Sequence, residues 1–203
     1  MKTMVCLTVL TMFVLAFAVT AWADDVTDAM TKASATYGAG DYKETSQNLQ
    51  TALAAVNQML IAQLIDALPE PPSGWTAEEP EGIDAAALGA AYFAALVVER
   101  TYHTPDDALV EMTIAANSPM LVSLKMFLTN PSMAAMAGQS GMKKVTACGY
   151  DAIEQSEDGR NEINILAGEA TLISISGSDG AGIDAVRMLA DATDCRTVVE
   201  VVE

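Results

Sequence analysis

The sequence predicts an α+β fold: an N-terminal helical hairpin followed by an antiparallel β-sheet packed with helices. Three observations carry this. Residues 24–67 read as helix broken once, at Gly38-Ala39-Gly40; Pro69, Pro71 and Pro72 then stop the helix; and from about Tyr92 onward short runs alternate apolar and polar side chains between turn residues. Strands and helices do not alternate regularly, which argues against a parallel sheet.

The elements follow in order. Residues 1–23 read as a secretory signal peptide, with Lys2 as the positive n-region, Val5 to Val19 as the apolar h-region, and Ala21 and Ala23 as the small residues before the cleavage point. Cleavage after Ala23 predicts a periplasmic or secreted protein with no membrane insertion after processing. Asp24 follows where a lipoprotein would carry Cys, so no lipid anchor is expected. The hairpin spans 24–68. Asp41 is placed to cap its second helix, with Glu44 three residues on, and Tyr42, Leu49, Leu53, Val56, Leu60, Leu64 and Ala67 form an apolar stripe that must pack on something.

Residues 69–84 read as a proline-rich, acidic linker carrying Ser73-Gly74-Trp75, and 85–203 as the sheet domain. Ala85 to Ala95 is small and apolar enough for helix or strand. A strand from about 92 to 103 turns at Pro105-Asp106-Asp107 into its hairpin partner at 108–116. Asn117 or Ser118 then caps a helix with Met120, Leu121, Leu124, Phe127 and Leu128 on one face, ended by Asn130-Pro131. Strand-like runs follow near 143–154, 161–167 and 170–176, then a helix over about 183–192, and a segment 197–202 that suits either strand or helix.

Charge excludes one broad class of partner. The chain carries 27 acidic against 10 basic residues, a formal net charge of -17, and loses Lys2 on processing. Nucleic-acid binding needs clustered Lys and Arg, and Lys143-Lys144 is the only adjacent basic pair. Removal of Cys6 leaves Cys148 and Cys195, an even number for a compartment where disulfides persist. They are expected to pair, the alternative being two buried free thiols.

The order of several short motifs resembles a family of uncharacterised exported proteins of Gram-negative bacteria. These are Tyr37 with Gly40-Asp41-Tyr42, Leu68-Pro69 leading to Gly74-Trp75, Arg100-Thr101-Tyr102, Asn117-Ser118-Pro119-Met120 and Asn130-Pro131. The resemblance implies a helical hairpin followed by a strand-rich domain similar to the Mog1 and PsbP type of α/β/α sandwich, and brings no activity with it. Within the hairpin, Tyr37, Gly40-Asp41-Tyr42 and Ala52-Leu53 also resemble one tetratricopeptide repeat, although a single copy is not an array.

Catalytic and metal constellations are sparse. His103 is the only histidine, which removes Ser-His-Asp relays and multi-histidine metal sites. Glu99 and Glu111 would share a sheet face if their strands pair, either as solvated surface or as an acid and base. Gly177 to Gly182 precedes a helix but lacks the Lys of a phosphate-binding loop. Met133, Met136 and Met142 could hold a soft metal such as Cu(I), and Met133 and Met136 could equally form an adaptable apolar surface. Tyr42 and Trp75 complete the candidate contacts for a protein or peptide partner, Trp75 alternatively anchoring the hairpin. The reading that results is an exported non-enzymatic binding or accessory protein without a cofactor. The rivals are a Met-based copper binder and a carboxylate-based enzyme.

Overall fold

The structure is a computed structural model and describes residues 25–84, 96–117, 120–130, 141–157, 159–178 and 180–203. The signal-peptide reading, the Ala85 to Ala95 run, the cap at Ser118, and Met133 and Met136 lie outside these residues, as do the side chains of Phe127 and Leu128. The chain divides into two compact units, Met1–Met59 and Leu60–Glu203.

In the first unit, helix α1 (residues 25–38) and helix α2 (Tyr42–Asp66) form the expected hairpin. Gly40 has φ 78, a left-handed conformation that glycine adopts without a Cβ clash. The Glu44 N–H donates to Asp41 Oδ1 at 3.0 Å, so Asp41 caps α2 as its position predicts. The seam between the helices is built from small residues: Ala29, Ala33, Thr45 and Ala52 are buried, and Thr36 Oγ1 meets Thr45 Oγ1 at 3.0 Å. The large stripe expected to pack is therefore turned outward over most of its length. Tyr42 is 69% exposed and Leu53 58%, and only from Leu60 on does α2 bury large side chains. The alanines win the seam because short side chains allow the close approach that the threonine pair bridges.

The last turns of α2 belong with the second unit, where Ile61 and Leu64 join the main core. The segment 69–84, expected as a linker, instead supplies strands β1 (Thr76–Ala77) and β2 (Glu81–Asp84). Both pair with the outer edge of β3 (Leu96–His103), with Thr76 opposite His103 and Glu81 opposite Glu99. Tyr102 is fully buried and its hydroxyl donates to the Pro69 carbonyl at 2.9 Å, which ties this segment to β3.

Strands β4 (Leu109–Ala116), β5 (Met142–Ala147), β6 (Tyr150–Glu157), β7 (Arg160–Ala167) and β8 (Thr171–Ser178) complete an antiparallel sheet of order β1-β3-β4-β8-β7-β6-β5. The expected single run at 143–154 is two strands. Cys148 and Gly149 take φ 41 and 89, the paired positive angles of a two-residue hairpin turn, and that turn chemistry is hidden when cysteine occupies the first position.

One face of the sheet carries the core. Val98, Met112, Ile114, Ile163, Ile173 and Ile175 are buried against helix α4 (Ile183–Ala192), which inserts Val186 and Leu189, and helix α5 (Cys195–Val202), which inserts Val198. The C-terminal segment is thus helical, capped by Asp194, whose carboxylate accepts from the Arg196 and Thr197 N–H groups. The carboxylate thereby satisfies two of the N–H groups that a helix start leaves unpaired. A disulfide joins Cys148 in the β5–β6 turn to Cys195 at the start of α5, with Cα atoms 6.0 Å apart.

Helix α3 (Met120–Thr129) lies on the other face, so helices pack on both sides of the sheet. Leu121 is buried there against Leu166 and Leu172, whereas Met120, expected on the buried side, is 56% exposed. The fold is α+β as predicted.

Candidate functional site

Among the described residues, helix α3 covers only one end of its face of the sheet, and the rest of that face is polar. Strand register sets this pattern. Thr101, Glu111, Ser176, Glu162 and Gln155 stand in one row across β3, β4, β8, β7 and β6, and Glu99, Thr113, Ser174 and Asn164 stand in the next. Each strand alternates these residues with the buried apolar set, so the same period-two pattern that builds the core builds this surface.

Three adjoining hollows mark the face. One of about 190 Å3 is lined by carboxylates from Glu78, Glu79, Glu81, Glu99 and Glu111 with Arg100 and Thr101. The next, about 510 Å3, shares Thr101 and Glu111 and adds Leu109, Gly159, Arg160, Ser176 and Ser178. The third, about 340 Å3, shares Arg160 and adds Gln155, Glu157 and Glu162. From β3 to β6 the row crosses four strand spacings, about 19 Å.

Within the face, Ser174 Oγ donates to Asn164 Oδ1 at 2.6 Å and Asn164 Nδ2 donates to Glu162 Oε1 at 2.7 Å, which fixes the centre. At the rim His103 Nε2 lies 3.1 Å from Glu78 Oε1 and Nδ1 lies 3.8 Å from Asp107 Oδ1, a structural role for the single histidine.

Glu99 and Glu111 do share this face, as their positions predict, but diagonally: Glu99 is opposite Thr113, and Glu111 opposite Thr101. Partial burial pushes the Glu99 carboxyl above its ordinary range, with the Glu111 and Glu81 charges adding to the rise. A carboxyl group raised in the folded chain binds its proton more tightly there than when unfolded. It is neutral in its effect at low pH and destabilises the fold as pH climbs through the unfolded value toward the folded one. Glu99→Gln is therefore expected to raise the melting temperature slightly at neutral pH. That gain should fade on acidification below the ordinary carboxylate range, as thermal melts at both pH values would show.

The remaining sequence candidates separate. Trp75 is half-buried and packs against the main core. Tyr42 is exposed on the hairpin, and its ring meets Tyr37 edge-on with centroids 5.9 Å apart. Met142 is half-buried at the start of β5. Among the described residues no group of three or more His, Cys, Asp or Glu side chains is placed to hold a metal ion, and no helix is long and apolar enough to cross a membrane. A further hollow of about 700 Å3 opens beside the disulfide, between Tyr150 and the α4–α5 junction with Asp191 and Asp194.

Sequence reasoning found Glu99 and Glu111 but missed Ser174, Ser176, Glu162 and Arg160. The alternation in β7 and β8 is visible in the sequence, but which strands neighbour which is not. Comparison with family models, curated proteins and solved structures finds no match for this chain.

Proposed function

We propose that this is an exported, non-enzymatic binding protein of the cell envelope, and that its open sheet face holds a basic peptide segment of a partner protein. The observation that carries the reading is the charge of the three joined hollows, whose lining sets seven carboxylates against Arg100 and Arg160. Lysine or arginine side chains would find carboxylates along that groove, and the hydroxyls of Thr101, Ser176 and Ser178 suit peptide N–H and C=O groups. The net charge of -17 would speed encounter with such a segment. The signal-like start of the sequence and the Cys148–Cys195 pair support export.

Calorimetric titration with a synthetic ten-residue Lys/Arg peptide tests this. Glu99→Gln with Glu111→Gln should weaken binding about tenfold, worth about 1.4 kcal/mol. Asp25→Asn with Asp28→Asn removes the same charge elsewhere and should change it little. Equal weakening by both pairs would reduce the effect to net charge and remove the site.

The raised Glu99 carboxyl beside Glu111 favours one second reading, a carboxylate-based enzyme on the same face with Glu99 as proton donor and Glu111 as base.

A further inference from the structure

We infer that the helical hairpin is a dimerisation module, its outer face packing on the same face of a second copy of this chain. The register of the hairpin places the face. Thr36 meets Thr45 across the seam, and Tyr37 meets Tyr42 one step outward. Counting away from the turn along both antiparallel helices, Met30 stands level with Leu49, and Val26 with Leu53, on the same outward side. Tyr37, Tyr42, Met30, Leu49 and Leu53 are all exposed, at 66%, 69%, 52%, 47% and 58%. A single hairpin therefore buries its alanines and presents its large side chains, the reverse of what a self-sufficient helical pair does.

The rim around these rungs decides the occupant. At 100° per residue, Thr31 and Ser34 on α1 and Lys43, Ser46 and Gln50 on α2 border the face, while Asp28, Lys32 and Glu44 point to the far side. A chain this acidic has cleared its acids from the one apolar surface of its hairpin. An acidic rim would select a basic partner. A rim free of carboxylates, with Lys43 its one charged residue, instead lets two copies of this acidic chain meet without carboxylate repulsion, and depletion of acids is what the centre of a homodimer interface shows. Size agrees. From Tyr42 to Val56 the face runs about 21 Å, and two helices are about 20 Å across. With side-chain relief that gives on the order of 700 Å2 per copy, close to a standard stable interface. Two such faces related by a two-fold axis form a four-helix layer with the aromatic and aliphatic rungs interdigitated.

Sedimentation velocity of the purified protein over a concentration series tests this. The expected result is a dimer that Leu49→Asp with Leu53→Asp converts to monomer, raising the dissociation constant at least a hundredfold. Thr51→Asp, on the far side of α2, should leave the dimer intact. Both substitutions are at exposed positions, and unchanged helical circular dichroism confirms that the chain still folds. A monomer at every concentration would overturn the inference, as would a dimer that the Leu49/Leu53 variant retains.

Discussion

Replacing both Cys148 and Cys195 by serine is expected to remove about 4 kcal/mol of stability, measured as the difference in urea unfolding free energy between the oxidised protein and the double variant. The bridge joins residues 47 apart, so it restricts a long stretch of the unfolded chain. What it joins in the folded chain matters too. Cys148 sits in the β5–β6 turn near one edge of the sheet, and Cys195 opens the last helix. Without the bridge, α5 is held by Val198 and its apolar neighbours, by the Asp194 cap, and by the Glu203 carboxylate, which accepts from the Glu169 and Ala170 N–H groups at the β7–β8 turn. Those contacts are expected to keep the helix in place without replacing the constraint that the bridge puts on the unfolded chain. Unfolding free energies that agree within about 1 kcal/mol would show that the bridge contributes little and that the anchoring of α5 comes from packing.

Leu189→Ala is expected to destabilise by about 3 kcal/mol, the usual range for such a truncation being about 2 to 5. Leu189 is fully buried on α4, in the layer that also holds Val186 and faces Ile163 and Ile175 of the central strands. Its neighbours come from a sheet whose central strands are fixed by ladders of eight and seven residue pairs, so they can close only part of the space left behind. Met188, the adjacent residue, is 50% exposed, and Met188→Ala should change stability by less than about 1 kcal/mol. Chemical denaturation of the two variants side by side separates the faces of α4. Equal losses would mean that the helix is rotated from the position described.

Much of this architecture is legible in the sequence because its signals are local. The Gly38-Ala39-Gly40 break, the Asp41 cap and the β3–β4 alternation each announce themselves within a few residues, and each lies where its pattern puts it. What stays hidden is decided by neighbours distant in sequence. The stripe from Tyr42 to Val56 carries the spacing of a buried helix face, yet spacing cannot say whether an apolar face meets its own chain, and here the alanine seam takes the interior. Thr76–Ala77 and Glu81–Asp84 are too short and too polar to signal strands until the edge of β3 is available to pair with them.

The buried Glu154 is a similar case. Its side chain is 4% exposed on the core face, tolerated because Arg187 of α4 donates to both of its oxygens at 2.8 and 2.9 Å, across 33 positions of sequence. The candidate site shows the same division. Glu99 and Glu111 could be matched from one hairpin, but the row is completed only when β8 and β7 are placed beside β4.

Amide chemical-shift mapping with the Lys/Arg peptide most directly tests the claim that the open sheet face is the binding surface. The account predicts perturbations concentrated at Glu99, Thr101, Glu111, Arg160, Glu162 and Ser176, with the core-facing residues of α4 and α5 unmoved. Perturbations spread over acidic residues throughout the chain, or confined to the hollow beside Cys148 and Asp194, would contradict it.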